Sequence, residues 1–133
     1  MGENLELLKE LTATLPPFPA GEIFPNYSKY KMEKGTVMSW HLFDRGDKVA
    51  VDKWFASKDT VFSNHIHHAK EIIVIYEGKM TLYIGDKTTY LATGDVICID
   101  PNQLHSSTIP EDCWFITITI PPAKEFIYDR AKN

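Results

Sequence analysis

The sequence predicts an all-β domain, an antiparallel sandwich or barrel preceded by one short helix. From residue 36 onward, short segments rich in β-branched and aromatic residues alternate with clusters of turn-forming residues such as Glu77-Gly78 and Gly85-Asp86. No helical periodicity lies between them, which is typical of sandwiches and barrels. The expected strands are Thr36–Phe43, Val49–Phe55, Val61–His67, Glu71–Tyr76, Met80–Ile84, Thr88–Leu91, Asp95–Ile99 and Trp114–Ile120.

A leucine pattern at the N-terminus predicts the helix, with Asn4 as its cap. The leucines at roughly helical spacing are Leu5, Leu8, Leu11 and Leu15, with Leu7 beside them. Pro16-Pro17-Phe18-Pro19 should end the helix and begin an extended arm, because proline cannot continue the hydrogen-bond ladder. We therefore expect three parts. Residues 1–35 form a helix and Pro-rich arm packing on the barrel or across a dimer, residues 36–121 form the barrel, and residues 122–133 form a C-terminal tail.

Composition narrows the class of protein. The chain of 133 residues is 44% hydrophobic, which is enough for one packed core and excludes wholesale disorder. Its 14 basic and 18 acidic residues give a net charge of -4, so we expect no nucleic-acid partner. No run approaches 18 apolar residues and no signal-peptide pattern begins the chain, so we expect a cytoplasmic protein without a membrane span.

The two cysteines do not suggest a disulfide framework or a zinc ribbon. Cys98 and Cys113 are too few and too widely separated for either. Both lie in strand-like runs, so we expect reduced, buried thiols that pack as small apolar residues.

Four residues have the spacing expected of ligands to one metal ion. His65 and His67 are two apart, which places them on one face of a strand about 6.6–6.8 Å apart. Both rings can lean onto one ion, since a metal–nitrogen bond is about 2.1 Å. Glu71 can return to the same centre across a turn, and His105 is the candidate fourth ligand from a distant strand. Adjacent His68 should point away from the centre if the strand continues through it.

These residues also carry a family resemblance. His65-x-His67-x3-Glu71-x6-Gly78 resembles the first motif of the cupin superfamily, and Gly94 through His105 resembles the second. Fifteen residues separate Gly78 from Gly94, as in the small, single-domain cupins with a conserved type-2 barrel. The sequence departs from the motifs at four positions while every ligand position is filled. These are Asp59 and Asn102, which replace glycines, Asp100, which replaces a proline, and Ile109, which replaces an asparagine.

The resemblance covers roughly residues 36–121 and implies a double-stranded β-helix, or jelly-roll barrel, that holds the ion. Three imidazoles and a carboxylate suit a divalent transition metal, namely Fe, Mn, Zn, Ni or Cu. In an octahedral centre two positions remain for a small chelating substrate. The reaction is then dioxygenase-like, with oxygen activated at iron, or isomerase- or lyase-like, with the metal as a Lewis acid. The alternative is a non-catalytic cupin module that binds or senses a small, sugar-like molecule.

No acid–base residue outside the ligand set stands out, so the catalytic residues stay unassigned. The expected cavity-lining residues are Trp40, Trp54, Ile73, Gln103 and Thr117. In the first strand the more obvious core face is Met38, Trp40 and Leu42, with which His41 alternates, so His41 lines the cavity or, at least as readily, faces solvent. The run Glu71–Tyr76 is apolar on both faces, and a second apolar face needs cover. We therefore expect a homodimer. The cavity beside the metal centre is expected to bind a small-molecule ligand.

Overall fold

A computed structural model describes residues 27–44 and 48–121, and all regular structure within them is β-strand. The strands are β1 (Ser28–Lys31), β2 (Thr36–Asp44), β3 (Ala50–Ala56), β4 (Val61–His65), β5 (Lys70–Ile84), β6 (Lys87–Ala92), β7 (Val96–Ile99) and β8 (His105–Ile120). The predicted all-β class is confirmed. Nowhere in this described part does a helix occur that is long and apolar enough to cross a membrane. The expected N-terminal helix and C-terminal tail lie outside the described residues.

Every strand pair is antiparallel, and two long strands organise the barrel. The order is β1-β2-β3-β8-β5-β6, with β4 paired to β8 and β7 paired to β5. The last part of β8 pairs with β3 and with the first half of β5, whereas its first part pairs with β4 and with the second half of β5. Register shifts between Ile75 and Thr81 mark the bulges where β5 passes from one group of strands to the other.

These long strands correct two expected boundaries. Glu77-Gly78 was expected to be a turn, but β5 runs through it as a bulge. Gly78 has φ 106° and passes directly against the backbone of Asp112 and Cys113 in β8, where a side chain would collide. Correspondingly, β8 begins at His105 rather than at Trp114. The first strand, β1, lies in a segment for which only an extended arm was expected.

Buried and partly buried residues alternate along β3 and along both ends of β8, and on β2 the buried face is opposite to the one expected. Val37 and Ser39 are buried, whereas Trp40 lies on the outer face with Met38 and Leu42. There the ring centroids of Trp40 and Trp114 are 5.8 Å apart, and the ammonium group of Lys53 lies over both rings. A large aromatic side chain thus lies on the outer face of β2, and the prediction from hydrophobicity placed the core on the wrong face of this strand.

Trp54 anchors the core. Its side chain is 1% exposed, its ring stacks on Phe115 at 6.1 Å, and its indole Nε1 donates a hydrogen bond to Thr117 Oγ1 at 2.8 Å. Because a buried indole N–H needs an acceptor, this bond allows the largest side chain of the chain to lie inside.

The cysteines behave differently from each other, which corrects one expectation. Cys113 is buried on the interior face of β8. Cys98 is exposed, because it lies one residue out of step with buried Ile99 on the short strand β7. Both are free thiols.

Candidate metal centre

Strand pairing brings the first and last of the predicted ligands together. His65 is the final residue of β4, and its cross-strand partner is His105, the first residue of β8. Their ring centroids are 4.2 Å apart. His67 follows in the connection to β5, with its ring centroid 5.0 Å from that of His105. The expected strand through His67 therefore stops two residues early, yet the rings still converge.

Main-chain carbonyls orient all three imidazoles in the same way. The Nδ1 atoms of His65, His67 and His105 lie 2.7, 3.1 and 2.8 Å from the carbonyl oxygens of Ser63, Ala69 and Gln103. A carbonyl oxygen only accepts, so each Nδ1 carries the proton and the lone pair is on Nε2. This is the tautomer that binds a metal through Nε2, with the other nitrogen fixed by an outer hydrogen bond.

The ligand atoms of the three histidines lie within 4.8 Å of one another. Around an ion with bonds of about 2.1 Å, neighbouring ligand atoms are about 3 to 4 Å apart, so a small inward movement closes the site. His67 and His105 are buried and His65 is half-buried. The geometry thus fits a transition-metal ion.

Glu71 lies beside this cluster. Its Oε2 is 2.9 Å from Nε2 of His67, and each of the two side chains is 1% exposed. A buried carboxylate requires positive charge nearby, and a divalent ion among neutral imidazoles would supply it. The donor set of three imidazoles and one carboxylate is chemically suited to such an ion.

The turns next to the ligand-bearing segments accommodate residues other than glycine at positions where the cupin motifs have glycine. Asp59 and Asn102, which stand at glycine positions, adopt φ values of 72° and 66°. Aspartate and asparagine enter this region at lower cost than most residues. The backbone N–H of Asn102 donates to the carbonyl of His67 at 2.9 Å, so the second turn holds the connection that bears the ligand.

The residues expected to line a cavity fall into two groups. Trp54, Ile73 and Thr117 are buried on the interior face of the sheet. Trp40 is on the outer face, because it is out of step with Val37 and Ser39. The exposed Gln103 side chain closes its own turn, where its Oε1 accepts from the backbone N–H of Asp100 at 2.9 Å. The structure therefore does not bring Trp40 and Gln103 to the interior beside the ligands.

A contact between an imidazole and a buried carboxylate, which the sequence did not predict, lies on the interior face. Nδ1 of His41 is 2.7 Å from Oδ1 of Asp52, whose side chain is 6% exposed, whereas that of His41 is 49% exposed. The signal was present in β3, where Asp52 alternates with buried Ala50 and Trp54. A carboxylate at an interior position of a strand calls for a partner, and His41 is its cross-strand neighbour.

The family comparison agrees with these motifs. Residues 55–118 match the model of the cupin domain, a range that includes all four predicted ligands. No curated protein matches the sequence.

Solved structures share the fold at low sequence identity. An RmlC-like cupin from Shewanella frigidimarina is 16% identical with a TM-score of 0.68, over 81% of this chain and 96% of that one. A predicted oxalate decarboxylase from Thermotoga maritima is 21% identical with a TM-score of 0.65, over 80% and 100%. The polyketide cyclase RemF from Streptomyces resistomycificus is 19% identical with a TM-score of 0.64, over 80% and 82%. At these identities the likeness establishes the fold, and function must be argued from the site.

Proposed function

This chain belongs to the cupin superfamily, and on that premise we propose that it is a metal-dependent enzyme acting on a small chelating metabolite. The observation that supports the proposal is the convergence of three histidines, each with Nδ1 bonded to a main-chain carbonyl, beside the buried carboxylate of Glu71. His65, His67, Glu71 and His105 would hold the ion. It would supply Lewis acidity or, as iron, the means to activate oxygen.

The interior beside this centre favours a small polar substrate. Thr119, Thr117 and Asp52 are buried on the interior face of β8 and β3, where a barrel used only for packing would carry apolar side chains. Hydroxyl and carboxylate groups next to an ion can orient a bound hydroxy or oxo compound. The similar structures include a predicted oxalate decarboxylase and a polyketide cyclase, which is consistent with varied chemistry on this fold.

Elemental analysis of protein purified without chelator tests the metal centre. We expect near-stoichiometric Fe, Mn, Zn, Ni or Cu in the wild type and at least about a tenfold loss of affinity in Glu71→Gln. Glu77→Gln is the matched control, because Glu77 is an exposed carboxylate on the same strand. Equal metal content in the wild type and both variants would show that Glu71 is not a ligand. Wild-type protein that neither contains nor takes up metal would refute the proposal.

Turnover separates the enzyme from the alternative of a binding module. Oxygen uptake by the iron-loaded protein would assign the dioxygenase class, and rearrangement or cleavage of a chelating acid under nitrogen would assign the Lewis-acid class. Tight binding of a small ligand without turnover would instead establish the sensing or sugar-binding module.

We also propose that the chain forms a homodimer through the outer face of the sheet formed by β2, β3, the last part of β8 and the first half of β5. This face carries apolar residues on four neighbouring strands. A continuous apolar surface of this kind is usually covered by another part of the chain or by a partner. Its residues include Trp40, Phe55, Ile72, Val74, Trp114, Ile116 and Ile118. Sedimentation equilibrium at micromolar concentration should give twice the chain mass, and a single-chain mass would contradict the proposal.

A further inference from the structure

Cross-strand register places the His41–Asp52 pair next to the candidate metal centre. Glu71 is opposite Thr119 on β8, and Thr119 is opposite Ala50 on β3. Two residues further along, Ile73 is opposite Thr117, Thr117 is opposite Asp52, and Asp52 is opposite His41. Residues two apart on a strand share a face, so these two rows are neighbours on the interior of the barrel.

The distances suit a small molecule between the two groups. His41 lies on β2, three strands from Glu71 on β5 in the order β2-β3-β8-β5, so their backbones are about 14 Å apart along the sheet, and their side chains span part of that distance from its interior face. The imidazole of His41 reaches toward β3, with Nδ1 2.7 Å from Oδ1 of Asp52. The cross-strand neighbours in the row of Glu71 are Thr119 and Ala50, whose short side chains leave room above that row.

The pair has the form of a proton-transfer device. Nδ1–H of His41 donates to the Asp52 carboxylate, so the lone pair of the neutral ring is on Nε2. A buried carboxylate that fixes the tautomer and stabilises the protonated ring is the general arrangement by which an imidazole is made an effective base. A purely stabilising role explains the pair poorly, since a half-exposed pair contributes little to stability while burying the Asp52 carboxylate is costly.

We propose that His41 is the general base of this site and Asp52 its positioning residue, and that the substrate is a 2-oxo acid with a C–H bond on its third carbon. This inference rests on the proposed metal-dependent function. Such an acid would bind the ion through its carboxylate and the adjacent oxygen, which would leave its third carbon free to face the His41 row. Nε2 of His41 takes the proton from the carbon next to the chelated carbonyl. The C–H electron pair becomes the C=C bond of the enolate, and the carbonyl π pair moves onto oxygen.

Pyruvate and zinc are suitable probes, because zinc is diamagnetic and pyruvate is the smallest 2-oxo acid with such C–H bonds. Zinc content and calorimetric binding of pyruvate are measured first, and then loss of the methyl proton signal in D2O. We expect wild-type exchange well above that of zinc alone. His41→Ala should lower it by about 10²- to 10³-fold while pyruvate affinity changes by less than about threefold. Added imidazole should restore part of the exchange in His41→Ala.

A second readout does not depend on activity. In metal-free protein at pH 8, the ring ¹⁵N spectrum should show His41 with its proton on Nδ1, and Asp52→Asn should redistribute it between the two nitrogens. Asp86→Asn, in an exposed turn, is the matched control and should leave both the spectrum and the exchange unchanged. His41→Gln, which can still bond to Asp52, guards against a folding defect in His41→Ala.

The outcomes separate this inference from the function on which it rests. Protein that binds no zinc refutes the proposed function. Zinc-loaded protein that does not bind pyruvate, or binds it without exchange, leaves the metal centre in place and overturns the base and substrate class assigned here. Exchange that survives in both His41→Ala and His41→Gln, or that imidazole does not rescue, also overturns the assignment.

Discussion

Nδ1 of His68 and Oδ1 of Asn102 are 2.6 Å apart, and this contact joins the connection that bears His67 to the turn that precedes His105. The backbone reinforces the link, because the N–H of Asn102 donates to the carbonyl of His67. His68 thus points away from the ligand cluster, as its position next to His67 suggested, and holds together the two turns that deliver the ligands.

Substitutions of Asn102 should separate its side-chain contact from its backbone conformation. Asn102→Ala loses the acceptor for His68 and places a Cβ-bearing residue without local hydrogen bonding at φ 66°, so we expect a loss of about 2 kcal/mol in the free energy of unfolding. Asn102→Gly loses only the contact and should cost about 1 kcal/mol. Urea denaturation of metal-free protein measures both. Equal losses would show that the positive φ is not a source of the effect.

Gly78 should not tolerate a side chain, because it lies against the backbone of a neighbouring strand. An added Cβ would meet the carbonyl oxygen of Asp112 and lie 2.8 Å from Cα of Cys113, both on the rigid strand β8. We expect Gly78→Ala to cost at least about 3 kcal/mol or to abolish soluble folding. Gly85→Ala is the matched control, since Gly85 also has positive φ but has no atom within 4 Å of the added Cβ. It should cost only about 1–2 kcal/mol. Similar midpoints in urea for the two variants would refute the steric explanation.

The sequence predicted the fold class and the ligand spacing because both depend on local pattern. Alternation and turn residues define strands wherever one face is buried. The interval from His65 to Glu71 is short, so a single connection between two strands places His65, His67 and Glu71 close together. The same logic failed where non-local packing decides. The continuity of β5 through Gly78 depends on the close approach of β8, which is distant in sequence.

The errors on β2 have a related cause. From its hydrophobicity Trp40 is expected in the core and Ser39 is not. In the structure Ser39 is buried because its Oγ lies 3.1 Å from the hydroxyl of Tyr30, a hydrogen-bond partner on the neighbouring strand. The partners of buried polar groups come from neighbouring strands, which a single strand does not reveal. Asp52 was missed for this reason, since its interior position becomes meaningful only once His41 is known to be its cross-strand neighbour.

The indole of Trp54 and the hydroxyl of Thr117 should be energetically coupled. Trp54→Phe removes the donor and Thr117→Val removes the acceptor of a fully buried hydrogen bond of 2.8 Å. Each single variant leaves a buried polar group without this partner, and the double variant does not, so we expect a coupling energy of about 1 kcal/mol. A double-mutant cycle from urea denaturation measures it. Additive losses would mean that the bond contributes nothing to stability.

The two thiols should differ sharply in reactivity. Burial raises the pKa of Cys113 from its ordinary value of 9.0 to about 12, because the apolar surroundings disfavour the thiolate. A thiol-specific reagent at pH 8 should therefore modify exposed Cys98 quickly and Cys113 only after unfolding. Mass spectrometry of the native and denatured protein, with Cys98→Ser as the control, distinguishes the sites. Rapid modification of Cys113 in the native Cys98→Ser protein would contradict its burial.

The raised pKa of Cys113 also sets the direction of an alkaline effect on stability. Above pH 9 the thiol of the unfolded chain loses its proton, while the folded chain keeps it up to about pH 12. The unfolded state then binds fewer protons, so the free energy of unfolding should fall as pH rises through this window, whereas the contribution is fully present below pH 9. Cys113→Ala removes the titrating group, and its stability should fall less steeply with pH over the same range. Parallel curves for wild type and Cys113→Ala would show that Cys113 does not drive the alkaline loss.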